Sequence, residues 1–205
     1  GQLVTVYSER AYSDPSGPTF DSYYQKGPGG VAYYGNNDPT DTLTAGVVPY
    51  AELLFPVAVG PIVSFTKTGV DFGDDLDGDG RNETVDVIAT SSITGFESVT
   101  VPAGTFPSAA KRVNTIVANT KLTSSGQSIT VNVSETTWIA PGAGLVRDDS
   151  VTTAEGTTIR LTSSVEARGY VVGGVRKGMG NPQDIAPANL GPLTQTNVGE
   201  LPIPV

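Results

Sequence analysis

Residues 74–87 read DDLDGDGRNETVDV, and within them Asp75, Asp77 and Asp79 alternate ahead of Gly80. Alternate carboxylates in a tight loop can turn on one centre, as a hard cation such as calcium requires, because calcium takes about six to eight oxygen ligands. Aligned as D-x-D-x-D-G, the loop offers the carboxylates of Asp75, Asp77 and Asp79, the carbonyl of Arg81, the side chain of Glu83 and, at the closing position, Asp86. Gly80 permits the sharp turn. Asp86 stands where a bidentate glutamate is usual, and the flanks GVDFG and ETVDVIAT are strand-like rather than helical. Without a helix pair nothing can swing open on binding. The expectation is therefore a static calcium clamp on a β-hairpin, with an affinity of roughly 10⁻⁴ to 10⁻³ M, set against the alternative of a solvated acidic turn.

The same stretch contains Asn82-Glu83-Thr84, and Asn132-Val133-Ser134 repeats the N-x-[ST] pattern of N-linked sugar acceptors. Asn82 falls at a loop position that points away from the metal, and Asn132 falls on the polar face of a strand, so both are sterically open to a covalent glycan. Such triplets also arise by chance.

Other chemistry is excluded by composition. The chain has no histidine and no cysteine, which removes the commonest general base, the commonest transition-metal ligand, disulfides and thiolate nucleophiles together. Its lysines, at 26, 67, 111, 121 and 177, lie outside any serine-based motif. No convergent catalytic set is visible, and no enzyme is expected. Twelve basic residues face 21 acidic ones for a net charge of −9, so nucleic acid and anionic membrane are poor partners. No apolar run approaches a membrane span. The opening at Gly1 rather than Met fits a processed, mature chain, with a residue left from expression as the alternative.

The elements that position the loop read as all-β. From about 62 to 172, short β-branched runs are cut by Gly, Asn, Asp and Pro turns. Ile129, Val131 and Val133 alternate with Thr130, Asn132 and Ser134, which predicts a half-buried strand over 129–138. Residues 159–166 alternate similarly, and ETVDVIAT, FESVTV, SAAKRVNTIVANT and AGLVRDDSVTT supply further strands. A single antiparallel sheet, half-barrel or sandwich of at least six strands is expected over 47–172.

The two ends differ from this middle. Residues 1–46 carry SDPSGP, KGPGG and GNNDPTD with a cluster of tyrosines, and 173–205 is rich in Pro and Gly. Both are expected as extended arms, since proline removes donors and biases its neighbours toward extended backbone. Near the N-terminus, Leu3, Val4, Thr5, Val6 and Tyr7 alternate as a short strand of their own. A strand detached from its domain can complete the sheet edge of another subunit. ELPIPV at the C-terminus competes less well, because Pro202 and Pro204 take two donors from so short a ladder.

Between residues 53 and 170 the chain resembles a bacterial secreted and lipoprotein β-domain family with a LolA-like half-barrel sheet. The resemblance rests on LLFPVAVG at 53–60, ESVTVPAGTF at 97–106 and WIAPGAGLVRDD at 138–149, in that order. It implies that the first motif opens the domain, that VPAGTF turns a corner between two strands, and that the tryptophan motif links the next pair. The fold's better-known relatives hold acyl chains on a concave face, which implies a lipid-binding alternative. Taken with the detached strand, the residues lead to one expectation: a secreted structural subunit that polymerises with copies of itself into an extracellular, pilus-like filament by donor-strand complementation. A monomeric protein binding an apolar ligand or a glycan is the competing one.

Overall fold

The computed structural model describes residues 7–10, 21–39, 41–172 and 175–178. In chain order the elements are β1 (Tyr7–Arg10), β2 (Asp21–Gly27), β3 (Gly30–Asn36), α1 (Thr42–Val47), β4 (Tyr50–Leu54), β5 (Gly60–Asp71), β6 (Thr84–Val101), β7 (Gly104–Lys121), β8 (Ser128–Ala140), β9 (Gly144–Ala154), β10 (Arg160–Glu166), β11 (Gly169–Val172) and β12 (Val175–Gly178). The architecture is nearly all β. Six antiparallel strands, in the order β10-β9-β8-β7-β6-β5, form the main sheet, a second sheet runs β1-β2-β3-β4, and β11 and β12 make a hairpin. The main sheet does not close into a barrel, because β5 and β10 remain its two edges.

Each main-sheet strand pairs with its neighbour in sequence, so short turns suffice except between β5 and β6, where residues 72–83 form a longer loop. ETVDVIAT and FESVTV, separate runs in the sequence, join through SSITG into one 18-residue strand, β6, matched by the 18-residue β7. Gly104, at φ 135°, opens β7 after the tight turn at Pro102–Ala103. Register carries one row of partners across the whole sheet: Phe65, Ala89, Ile116, Val133, Thr152 and Leu161. Paired residues share a face, so this row defines an inner, largely apolar face.

That face is covered at one end only. Val70, Val85 and Val87 are buried there against Leu43 and Val47 of α1 and against Phe65, Phe72 and Ala118. Toward the β6–β7 hairpin a second cluster forms around Val99, Val101, Phe106, Ala109, Trp138 and Val146, with Tyr170 packed on it. Near β10 the sheet is open, with all seven residues of that strand exposed. Leu161 is 64% exposed and Val165 61%.

Part of the expected N-terminal extended arm is instead built into β2 (Asp21–Gly27), β3 (Gly30–Asn36) and α1 (Thr42–Val47). The tyrosines explain this. Tyr24, Tyr33, Tyr50 and Phe65 stack in series, with ring centroids 5.2, 5.4 and 5.9 Å apart, and so tie the small sheet to β5. Asp41 caps α1 by accepting the Thr44 amide hydrogen at 2.9 Å, and its other oxygen takes the Asn36 side-chain amide at 2.7 Å. β4, placed by sequence in the main domain, belongs to this small sheet. Of the donor segment, Tyr7 opens β1 and pairs with Tyr24, while Leu3, Val4, Thr5 and Val6 lie outside the described residues, as does the C-terminal arm beyond Gly178.

Candidate metal centre

The acidic loop joins β5 to β6 at the covered end of the sheet and leans on the β7–β8 turn. Its two ends are laced together by backbone bonds, Phe72 N to Glu83 O at 2.9 Å and Glu83 N to Asp74 O at 3.1 Å. Within this frame, the carboxylate of Asp75 receives the amides of Gly78 at 2.6 Å and Asp79 at 3.1 Å on one oxygen, and Gly80 at 2.8 Å on the other. Gly78 and Gly80 both have positive φ, at 77° and 87°, which lets the loop curl around that carboxylate.

Asp75, Asp77 and Glu83 each bring one carboxylate oxygen to within 4.8 Å of the others. A calcium–oxygen distance of about 2.3–2.6 Å fits between oxygens so spaced. Glu83 is fully buried. Its Oε2 accepts the Leu76 amide at 2.6 Å, while its Oε1 and the Oδ1 of half-buried Asp77 have no hydrogen-bond partner. A buried carboxylate left without a partner is strongly unfavourable unless a cation answers it. A cluster of three carboxylates with two unpartnered oxygens, in a chain that offers only hard oxygen donors there, could hold a divalent cation of the calcium, magnesium or manganese type.

The β7–β8 turn supplies the outer support. Asp77 Oδ2 accepts the Ser124 amide at 2.8 Å and the Ser124 hydroxyl at 2.7 Å, and these bonds, the amide first, hold its carboxyl below the ordinary value. They fix Asp77 from behind and leave Oδ1 turned inward. Asp79 performs a similar clamp farther out, accepting the Thr123 hydroxyl at 2.7 Å and the Arg81 amide at 3.0 Å.

The structure therefore brings together Asp75, Asp77 and Glu83 from the sequence-derived ligand set and uses Asp79 to tie the loop to its neighbour. Arg81 is exposed. Asp86 stands apart on β6, where Oδ1 accepts the Gly69 amide at 2.8 Å across a β-bulge of β5. Glu83, not Asp86, closes the carboxylate group, because Glu83 is the last loop residue before β6 and alone is carried into the interior. Asn82 is exposed, its Nδ2 donating to Asp71 Oδ1 at 3.3 Å, whereas Asn132 lies mid-sheet between Val117 and Thr153 and is half-buried.

A second polar group escaped the sequence reading. Arg112 on β7 is buried, forms an ion pair with Glu52 of β4, and donates to the Glu52 carbonyl and the Thr137 hydroxyl, both at 3.0 Å. Register alone aligns Ser91, Asn114 and Glu135 as partners on three adjacent strands beside it. Among the described residues, no helix is long and apolar enough to cross a membrane. Compared with family models, curated proteins and solved structures, the chain matches none.

Proposed function

We propose that this chain is a structural subunit of an extracellular, pilus-like filament, built by adding a strand of one copy to the sheet edge of the next. The observation that carries the reading is β10. This edge strand pairs with β9 alone among the described residues, and its apolar side chains Leu161 and Val165 stand exposed on the inner face. Between the charges of Arg160 and Glu166 lie five uncharged residues, LTSSV. Proteins that stay monomeric usually blunt such an edge with charge, proline or a covering loop.

The occupant is the N-terminal segment Leu3–Tyr7 of a second copy, whose Val4 and Val6 fall on one face and Leu3, Thr5 and Tyr7 on the other. In this reading Asp75, Asp77 and Glu83 hold calcium, which is abundant outside cells and stiffens the loop without switching it. Asn82, the more exposed of the two acceptor sites, carries any N-linked sugar outward on that loop.

Deleting residues 1–6 tests the reading. Electron microscopy should show filaments of the full chain and none of the truncated one, while circular dichroism shows the same β content in both. Filaments that persist after truncation, or a full chain that light scattering finds monomeric with co-extracted lipid, overturn it in favour of an apolar-ligand carrier.

A further inference from the structure

We propose that Ser124, on the turn between β7 and β8, positions Asp77 as a cation ligand, so that an ion held by Asp75, Asp77 and Glu83 staples two neighbouring connections of the main sheet to each other. The inference rests on the reading of the acidic loop as a cation site, and it names the residue outside the loop on which that site depends.

Register brings the two connections together. Thr84 at the start of β6 pairs with Lys121 at the end of β7, and Lys121 pairs with Ser128 at the start of β8, so the acidic loop and residues 122–127 leave the sheet at the same end. The turn is braced by bonds of its own, Leu122 N to Gln127 O at 2.8 Å, Gly126 N to Leu122 O at 2.9 Å and Gln127 N to Ser125 Oγ at 3.2 Å. None of these three involves the acidic loop.

Across 47 positions of sequence, the amide and the hydroxyl of Ser124 both donate to Oδ2 of Asp77, at 2.8 and 2.7 Å. Two donors from one residue occupy the lone pairs of that oxygen and restrain rotation of the carboxylate. Oδ1 of Asp77, buried and without a partner, keeps its capacity for an ion. Glu83, fully buried, is in the same state, with Oε2 taking the Leu76 amide and Oε1 unpartnered. Together with Asp75, these residues bring carboxylate oxygens within 4.8 Å of one another. Ligating carboxylates depend on such outer partners, whose loss costs about 10- to 100-fold in metal affinity.

Thr123 provides the internal comparison. Its hydroxyl donates to Asp79 Oδ2 at 2.7 Å, which ties the same turn to the same loop through a carboxylate outside the group of three. A turn that only steadied the loop would lose as much from Thr123 as from Ser124.

Calorimetry of the full chain with calcium tests this. Ser124→Ala should weaken calcium binding about tenfold, while Ser124→Thr, which keeps the hydroxyl, and Thr123→Val should each stay within about twofold of the parent. Calcium heat in the parent with undiminished affinity in Ser124→Ala, or equal weakening by Thr123→Val, overturns this inference alone. A parent chain that gives no calcium heat overturns the cation site and the inference together, so the two failures are distinguishable. Filament assembly plays no part in the measurement.

Discussion

The buried carboxylate of Glu83 accepts the amide hydrogen of Leu76 at 2.6 Å, so the residue that ends the acidic loop also pins its middle. One of its oxygens is thereby spent on structure and the other is buried without a partner, in the residue that stands with Asp75 and Asp77. Calcium should raise the melting temperature of the chain. With a dissociation constant of roughly 10⁻⁴ to 10⁻³ M, 10 mM calcium contributes about 1.4 to 2.7 kcal/mol by mass action, or roughly 3 to 10 °C for a chain of this size. Glu83→Gln keeps an acceptor for Leu76 and removes a ligand charge, so its melting temperature in chelator should equal or exceed the parent's while the calcium response shrinks. Scanning calorimetry in calcium and in chelator reads both, and an undiminished calcium response in the variant defeats the assignment of Glu83.

The indole Nε1 of Trp138 donates to Glu97 Oε1 at 2.7 Å, and Lys111 bridges to the same carboxylate at 3.3 Å. The indole bond first, then Lys111, holds the Glu97 carboxyl below its ordinary value of 4.5. A lowered carboxyl keeps its contribution above the unfolded value and loses it as pH falls through the folded one. Because Trp138 is the only tryptophan, its emission should change with a midpoint below 4.5 in acid, and Glu97→Gln should remove that step.

Asp148 behaves in the opposite sense. Burial first, then the charge of Glu135, pushes its carboxyl up to about 6 from 3.8. A raised carboxyl binds its proton more tightly folded than unfolded, so stability falls as pH rises between those two values. Asp148→Asn should flatten that part of the melting-temperature profile between pH 4 and 7. A variant whose profile follows the parent's across this range shows that Asp148 is not the group responsible.

Leu161→Lys and Val165→Lys place charge on the open edge at positions already 64% and 61% exposed. Stability of the monomer should move by no more than about 0.5 kcal/mol, yet filament yield by electron microscopy should collapse, because an edge lysine resists strand addition. Normal filaments from both variants would place the junction elsewhere.

Gly46 sits where α1 meets β5, and a Cβ built on it lands on Val70 Cγ1. Gly46→Ala should therefore cost about 1 to 3 kcal/mol through overpacking, despite alanine's better helix propensity. Urea denaturation measures it, and an alanine variant as stable as the parent would mean that α1 can shift.

The main sheet was legible because its strands alternate polar and apolar residues, and because each pairs with its sequence neighbour. Two strands read separately proved to be one, since Ser91, Ser92, Thr94 and Gly95 look like a turn but continue β6 through a bulge at Ile93–Gly95. The small sheet was hidden by its Gly-Pro turns. Its order comes from tyrosines far apart in sequence, whose stacking no local pattern reveals. Asp75 and Asp77 followed from spacing, whereas the burial of Glu83 depends on how the loop enters β6, and the Glu52–Arg112 pair on two sheets meeting.

β6 begins at the acidic loop and reaches Gly95, the partner of Lys111, which in turn pairs with Trp138. Along an extended chain, the run from Thr84 to Gly95 covers on the order of 35 Å. The intrinsic fluorophore and the candidate cation site are thus optically decoupled. Tryptophan emission will follow acid at one end of the molecule and stay silent during a calcium titration at the other, so a single preparation reports the two ends independently.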